Sequence, residues 1–223
     1  MKNVMLAFGL LVFSAVFAAA QTTTTLSDDY KKAEFYVGYS NGQVDTGVDS
    51  GNSVNSFFRD RKNFHGVNVS GVYNLSRYFG VKGDVSGVYN NTTFTTPTFS
   101  AAVPGQTVTF DTNNSLYNYV GGIQVKDNSK SGTFKPFAHA MVGGATARTK
   151  IKNIRCSPAA PCDFLIGGDD TQSDTGFSGV FGGGLDFRLN DHFQIRAIQV
   201  DYNPVRSFGQ WDQNLRIGAG IVF

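Results

Sequence analysis

The sequence predicts an all-β fold, an eight-stranded antiparallel up-and-down transmembrane β-barrel. Three observations carry that prediction. Apolar residues recur at every second position in eight separate segments, the connections between those segments alternate short and long, and the last segment runs to a terminal aromatic, Phe223. No stretch after residue 20 approaches the roughly 18 to 20 apolar residues of a spanning helix, so strands would have to make any membrane crossing. Only a closed barrel allows this, because every backbone N–H and C=O in lipid needs a partner.

Taken in order, the first strand spans about 32–40, with Ala33, Phe35, Val37 and Tyr39 on one face and Glu34, Tyr36, Gly38 and Ser40 on the other. The second, about 65–73, sets Val67, Val69, Gly71 and Tyr73 against Asn68, Ser70 and Val72. The third, 79–89, alternates Phe79, Val81, Gly83, Val85, Gly87 and Tyr89 with Gly80, Lys82, Asp84, Ser86 and Val88. In the fourth, about 116–125, Tyr117, Tyr119, Gly121, Ile123 and Val125 share a face. The fifth, 134–146, places Pro136 near its start, where a missing ladder donor is tolerated, and opposes Lys135, Phe137, His139 and Met141 to Ala138, Ala140 and Val142.

The sixth strand, 177–189, sets Phe177, Phe181, Leu185 and Phe187 against Ser178, Asp186 and Arg188. The seventh, 193–202, begins with Phe193, Ile195 and Ala197 on the apolar face and then slips parity, so that Val200 and Tyr202 face outward and Gln199 and Asp201 inward. A β-bulge near Ala197–Ile198 repairs the register. The eighth closes the chain, with Leu215, Ile217, Ala219, Ile221 and Phe223 alternating with Arg216, Gly218 and Gly220.

Short turns fall at about 74–78, 126–132 and 189–192, and long polar connections at about 41–62, 90–115, 147–176 and 203–210. Both termini of the chain then lie on the short-turn side. Tyr73, Phe79, Phe187, Phe193 and Phe223 form one aromatic girdle, and Tyr39, Tyr89, Tyr117 and Tyr202 the other. A soluble eight-stranded barrel would pack its apolar face inward and leave Gly80, Gly122, Gly182, Gly184, Gly218 and Gly220 facing water. Turned the other way, these glycines make room for Lys82, Arg188, Arg196 and Arg216 in a narrow lumen.

The ending resembles the C-terminal assembly signal of bacterial outer-membrane β-barrels, with a polar residue (Arg216), a glycine (Gly218), then apolar Ile221 and the terminal Phe223. The resemblance implies that the outer-membrane assembly machinery reads the closing strand. At the other end, Lys2, the apolar run 4–17 and Ala18-Ala19-Ala20 read as a cleaved signal peptide over 1–20. Residues 21–31 follow as a short periplasmic tail, and 32–223 as the barrel. Residues 33–223 resemble the eight-stranded outer-membrane barrel superfamily that includes the transmembrane domain of outer membrane protein A. That resemblance implies a bacterial outer-membrane location with outer-membrane lipids as neighbours. With the last strand running to Phe223, no counterpart of the periplasmic domain of the longer relatives is expected.

Composition narrows the function. The formal charge of +2 and the lack of a Lys/Arg stripe interleaved with aromatics exclude nucleic acid as a partner. The mean hydropathy of −0.16 suggests a soluble protein only because alternation averages away. The expected lumen gathers Glu34, Lys82, Asp84, Lys135, His139, Asp186, Arg188, Arg196, Asp201 and Arg216. Opposite charges in so small a tube pair, since an unpaired buried ion costs several kcal/mol, and the result is either a salt-bridge plug or the gate of a narrow ion path.

No catalytic residues are assigned. His65 stands at a strand start, His139 in the lumen and His192 in a turn, none beside a serine in a recognisable motif, so a lipid-modifying enzyme is the weaker alternative. Cys156 and Cys162 sit in the longest loop, spaced for a loop-closing disulfide in an oxidising envelope. Two thiols without a nearby histidine make an incomplete metal site. Asp169, Asp170 and Asp174 read as a solvated acidic loop, and Gly182–Gly184, with no helix after them, as close wall packing rather than a phosphate cradle. No cofactor is implied. The long loops point to an unknown surface ligand.

Overall fold

The computed structural model describes residues 30–45, 61–97, 107–157, 171–207 and 209–223. It is a closed barrel of eight antiparallel strands in sequence order: β1 (Ala33–Asp45), β2 (Arg61–Asn74), β3 (Phe79–Pro97), β4 (Thr107–Lys126), β5 (Phe134–Ser157), β6 (Thr171–Arg188), β7 (Gln194–Ser207) and β8 (Gln210–Val222). The seam is β1 against β8, paired from Tyr36↔Val222 to Gln43↔Leu215.

The alternation decides which way each side chain points. Val37, Val67, Val85, Ile123, Phe181, Ile195 and Ile221 are exposed on the outer wall, whereas Glu34, Lys82, Asp84, Asp186, Arg196 and Asp201 are buried inside. In water this would be an inverted protein; in a bilayer it matches the solvent on each side. Outward aromatics cluster at two levels. Near the short turns, Phe35 and Phe193 pack on Phe223, with ring centroids 6.4 and 5.5 Å away, and Phe134 packs on Phe187 at 5.0 Å. At the other level Tyr89 meets Tyr117 at 5.6 Å and Phe177 meets Trp211 at 6.1 Å. Along β3 the step from Phe79 to Tyr89 spans about 25 Å of membrane normal, at roughly 3.3 Å per residue and a tilt near 40°.

The bulge in β7 falls where the parity slips. Its pairing with β8 shifts register between Arg196 and Gln199, so Ala197 and Ile198 both face out while Arg196 and Gln199 both face in.

Several expected boundaries are corrected. The strands run on past the membrane into segments read as loops, because hydrogen-bonded pairing with a neighbour continues after the outward apolar signal has stopped. Thus Asn90–Pro97 pairs with Thr107–Asn114, a Thr-rich stretch suited to pleated surface. Cys156 lies in β5, paired opposite Val108, and Asp174 lies in β6 opposite Ala147, so neither is in a loop. Cys162, Asp169 and Asp170 lie outside the described residues. His65 is inside β2 rather than at its start, and Lys126 ends β4 rather than opening a turn. The connection expected over 203–210 shrinks to two residues, with Gly209 at φ +80°.

The short turns lie on the side where β1 begins and β8 finishes. The turn after β4 folds against the start of the barrel: Lys31 N–H donates to the Asn128 carbonyl at 3.1 Å, Tyr30 bridges Ser129, and Asn128 and Ser129 become buried.

A charge on the outer wall should therefore be costly in proportion to its depth. Val85→Arg, midway between the girdles, should lower unfolding free energy in phospholipid vesicles by about 2–4 kcal/mol, whereas Tyr89→Arg at the interface should cost about 0–1 kcal/mol. Urea titration of the two variants checks the gradient.

Candidate functional site

The buried polar interior is the candidate site, and six strands supply its charged groups. Inward positions of β1, β3, β4, β6, β7 and β8 carry four cations (Lys82, Lys126, Arg196, Arg216) and four carboxylates (Glu34, Asp84, Asp186, Asp201), all buried, and β5 adds His139. β2 contributes the amide of Asn68.

At the turn end, Lys126 is the hub. Its ammonium donates to Glu34 Oε1 at 2.9 Å, Asp186 Oδ2 at 2.8 Å and Gln194 Oε1 at 2.9 Å. Asp186 also receives Arg196, through Nε at 2.8 Å and Nη2 at 3.0 Å, a bidentate pair. The guanidinium is held between two rings, 4.3 Å from the Tyr36 centroid and 4.0 Å from that of Phe137. Tyr36 in turn lies over Gly38 and Gly220. A Cβ on Gly38 would stand 2.2 Å from the Tyr36 hydroxyl, and one on Gly220 would stand 2.9 Å from its ring.

The β7 bulge carries the network onward. Arg196 Nη1 donates to Gln199 Oε1 at 2.8 Å, and Gln199 Nε2 to Asp201 Oδ2 at 2.6 Å. Arg216 donates to Asp201 Oδ2 through Nη2 at 2.7 Å, and to Asp84 Oδ1 and Ser86 Oγ through Nη1 at 2.8 and 2.9 Å. Asn68 closes the far side on Asp84 at 2.9 Å. His139 sits between two charged groups, with Nε2 2.9 Å from Asp201 Oδ1 and Nδ1 3.2 Å from the Lys82 ammonium. With Nδ1 accepting from the ammonium, the ring carries its proton on Nε2, which lies beside the Asp201 carboxylate without an aligned hydrogen bond to it. The four cations then balance the four carboxylates. Opposite His139 and Asp201 the wall is Gly182, where a Cβ would lie 2.3 Å from the Asp201 carboxylate.

Above this layer the interior changes character. Asn118, Ser178 and Asn203 form a hydrogen-bonded triad at 2.9 Å per step, and Phe64, Val88, Leu116, Ala145 and Val205 then pack as an apolar cluster toward the long-loop end. The space between triad and cluster, lined by Val88, Leu116, Asn118, Asn203 and Arg216 among others, is about 10 Å³, room for one water.

Two residues expected in the lumen network stand apart from it. Lys135 is buried but caps the turn below, donating to the carbonyls of Asp127, Ser129 and Ser131 at 2.9, 2.7 and 3.0 Å. Arg188 lies at the rim and pairs with Asp191 of the following turn. Conversely, the network includes Lys126, Gln194 and Gln199, which lie outside the charged set expected for the lumen although parity turns Gln199 inward. Inward parity in β4, shared with Gln124 and Gly122, marks Lys126 once the strand is extended by one residue.

The turn outside the membrane has its own ion pair. Arg77 Nε donates to Asp127 Oδ1 at 3.0 Å, and with the Ser129 N–H this holds the Asp127 carboxyl well below the usual carboxylate range. Of the other histidines, His65 faces outward against the Tyr39 hydroxyl, and His192 occupies the turn before β7. Among the described residues no group of three or more His, Cys, Asp or Glu is placed to hold a metal ion.

A closed antiparallel barrel with lipid-facing apolar residues outside and compensated charges inside is an integral β-barrel of the bacterial outer membrane. The chain belongs to the outer membrane protein beta-barrel domain family, whose model matches residues 8–223. No curated protein sequence matches it. Solved structures with a similar fold include the attachment invasion locus protein Ail of Yersinia pestis in complex with the heparin analogue sucrose octasulfate, at 17% identity over 86% of this chain and 98% of that one, TM-score 0.52. The same Yersinia pestis protein in a second structure gives 15% identity over 87% and 99%, TM-score 0.51. Neisserial surface protein A aligns at 11% identity over 85% and 95%, TM-score 0.44.

Removing one member of the network should cost more than removing a pair. Lys126→Met strands Glu34 and should destabilise the barrel by about 3–5 kcal/mol, and adding Glu34→Gln should recover part of that loss. Urea unfolding of the two variants in vesicles reads the difference.

Proposed function

We propose that this protein is a sealed barrel with a structural and surface-interaction role, presenting its extracellular strand extensions and loops to a surface ligand. The carrying observation is the interior. Each of the four cations of the network has a hydrogen-bond partner inside the tube, and the space above them holds about one water. An ion crossing such a tube would have to break charge-assisted bonds that the protein cannot remake elsewhere, and then dehydrate past Phe64, Val88 and Leu116. The strands also continue well beyond the membrane on one side only, β5 reaching Ser157, which gives the loops a raised platform. The same fold carries a polysulfated sugar in the Yersinia pestis structure, which supports a recognition role at the cell surface.

Around this reading we place the remaining assignments. Residues 1–20 act as the cleaved export signal and 21–31 as a periplasmic tail. Arg216, Gly218, Ile221 and Phe223 address the chain to the assembly machinery. A Cys156–Cys162 bond ties the end of β5 to the loop beyond it, and a stiffened loop loses less entropy on binding. No reaction is assigned to the interior or the rim.

Planar-bilayer recording with the purified protein tests the seal. The wild type should give no resolved single-channel steps, and steps that change when Lys82 or Arg196 is neutralised would establish a gated path instead. Replacing residues 46–60 by a short turn should abolish binding to host-cell or matrix surfaces in an adhesion assay while leaving the folded barrel intact.

A further inference from the structure

Among the described residues, the outer wall above the membrane concentrates its charge on β5. Arg148, Lys150 and Lys152 alternate along the strand with the outward parity of Ala138, Ala140 and Val142. Beyond them the pairing with β4 shifts between Thr109 and Asp111, so that two residues, Asn153 and Ile154, oppose Phe110. Asn153 is the one non-glycine residue with positive φ among those described, at 53°. The bulge restores Arg155 to the face that simple alternation would have denied it: Lys152 pairs with Asp111 and Arg155 with Thr109, two residues on the same side of β4. Four cations thus form a single outward ladder.

The bulge is held in place. Asn153 donates its side-chain amide to Asp111 at 2.8 Å, and Thr93 donates to the same carboxylate at 2.7 Å. These bonds keep the Asp111 carboxyl below its ordinary range. Among the described residues Asp111 is the single carboxylate on this face, against four cations. Among the described residues none of the four cations forms an ion pair. The flanking outward positions are neutral and polar: Asn91 and Thr93 on β3, Asn113 and Ser115 on β4, Thr171 and Ser173 on β6.

The height of the ladder decides what it meets. Thr146 is the β5 residue level with Tyr117 of the upper girdle. Arg148 to Lys152 therefore stand roughly 5 to 15 Å above the girdle, and Arg155 about 20 Å, allowing for strand rise and tilt. They point sideways, over the lipid, not across the barrel mouth. That is the level of the head groups of the surrounding outer leaflet, and cations beside hydroxyl and amide side chains match a phosphate-bearing sugar.

We propose that the Arg148, Lys150, Lys152 and Arg155 ladder binds the phosphorylated saccharide head groups of the outer-leaflet glycolipid in the same membrane. The proposal goes beyond the loop-borne surface role, because it concerns the flank of the barrel and a ligand in its own bilayer. Occupancy would fix one side of the barrel to the lipid and leave the other rim free.

The test uses the folded full-length mature protein in detergent micelles, titrated with lipopolysaccharide, with the same lipopolysaccharide after phosphatase treatment, and with heparin. Lipopolysaccharide should bind, and removing its phosphates should weaken it strongly. Arg148→Ser/Lys150→Ser/Lys152→Ser should weaken binding on the order of 100-fold, at roughly fivefold per charge. Lys62→Ser/Lys130→Ser/Arg206→Ser, an equal charge loss elsewhere, should change it less than threefold, and Lys150→Arg/Lys152→Arg should retain it. A heat-modifiable gel shift in every variant confirms folding. Equal affinity of wild type and the Arg148 triple variant would overturn the proposal. So would ladder-dependent binding of heparin without binding of lipopolysaccharide, which would assign the cations to a ligand in trans. Loss of the ladder effect with adhesion retained would leave the loop-borne role standing.

Discussion

Hydrocarbon offers no partner to a peptide group, and the rest of this structure follows from that. Each strand must be paired on both edges, so the sheet has to close, and β8 must find β1. Closure with eight strands gives a tube too narrow to hold bulk water, and the period-2 pleat sends every other side chain into it. The outward half of each strand is then chosen by lipid. The inward half is chosen by what can be buried together in a tube about one side chain deep.

That second choice explains the interior. Charged residues enter the tube only in combination, and the network is arranged so that hubs are shared: Asp186 serves Lys126 and Arg196, and Asp201 serves Arg216, Gln199 and His139. Sharing saves volume, because a narrow tube has no room for separate ion pairs. Small residues supply the remaining space. Gly182 yields to the Asp201 carboxylate, and Gly38 and Gly220 yield to the Tyr36 ring that covers Arg196. The bulge at Ala197–Ile198 brings Arg196 and Gln199 to one wall with two intervening residues instead of one, which lets the guanidinium reach both Asp186 and Gln199.

What could be read from the sequence is what lipid dictates. Phe79 to Tyr89 gave strand, face and both girdles because hydrocarbon on one side and protein on the other impose a strict contrast. Even the β7 slip was visible, since Gln199 and Asp201 broke the parity set by Ile195. Where the solvent is water on both sides the contrast disappears. The extension Thr107–Asn114 sets Thr107, Thr109, Asp111 and Asn113 outward against Val108, Phe110, Thr112 and Asn114, and outward residues so polar read as loop, which hides the pairing. Lys126 was hidden for a related reason, since a lysine beside Asp127 and Asn128 resembles a turn until its strand is counted one step further. Which carboxylate serves which cation was not readable at all, because those partners lie far apart in sequence, Glu34 and Lys126 being 92 residues apart. Only the closed geometry brings them within reach.

The terminal residue has a further role. Phe223 exchanges both of its backbone bonds with Phe35, its N–H donating to the Phe35 carbonyl at 2.8 Å and its carbonyl accepting from the Phe35 N–H at 3.2 Å. The free edge of β8 is thereby used up by the first strand of the same chain. An unfinished barrel carries two sticky margins, open to any extended peptide nearby. The finished one has cancelled them against each other, so insertion is self-terminating: the act that completes the wall also withdraws the last template on which another chain could grow.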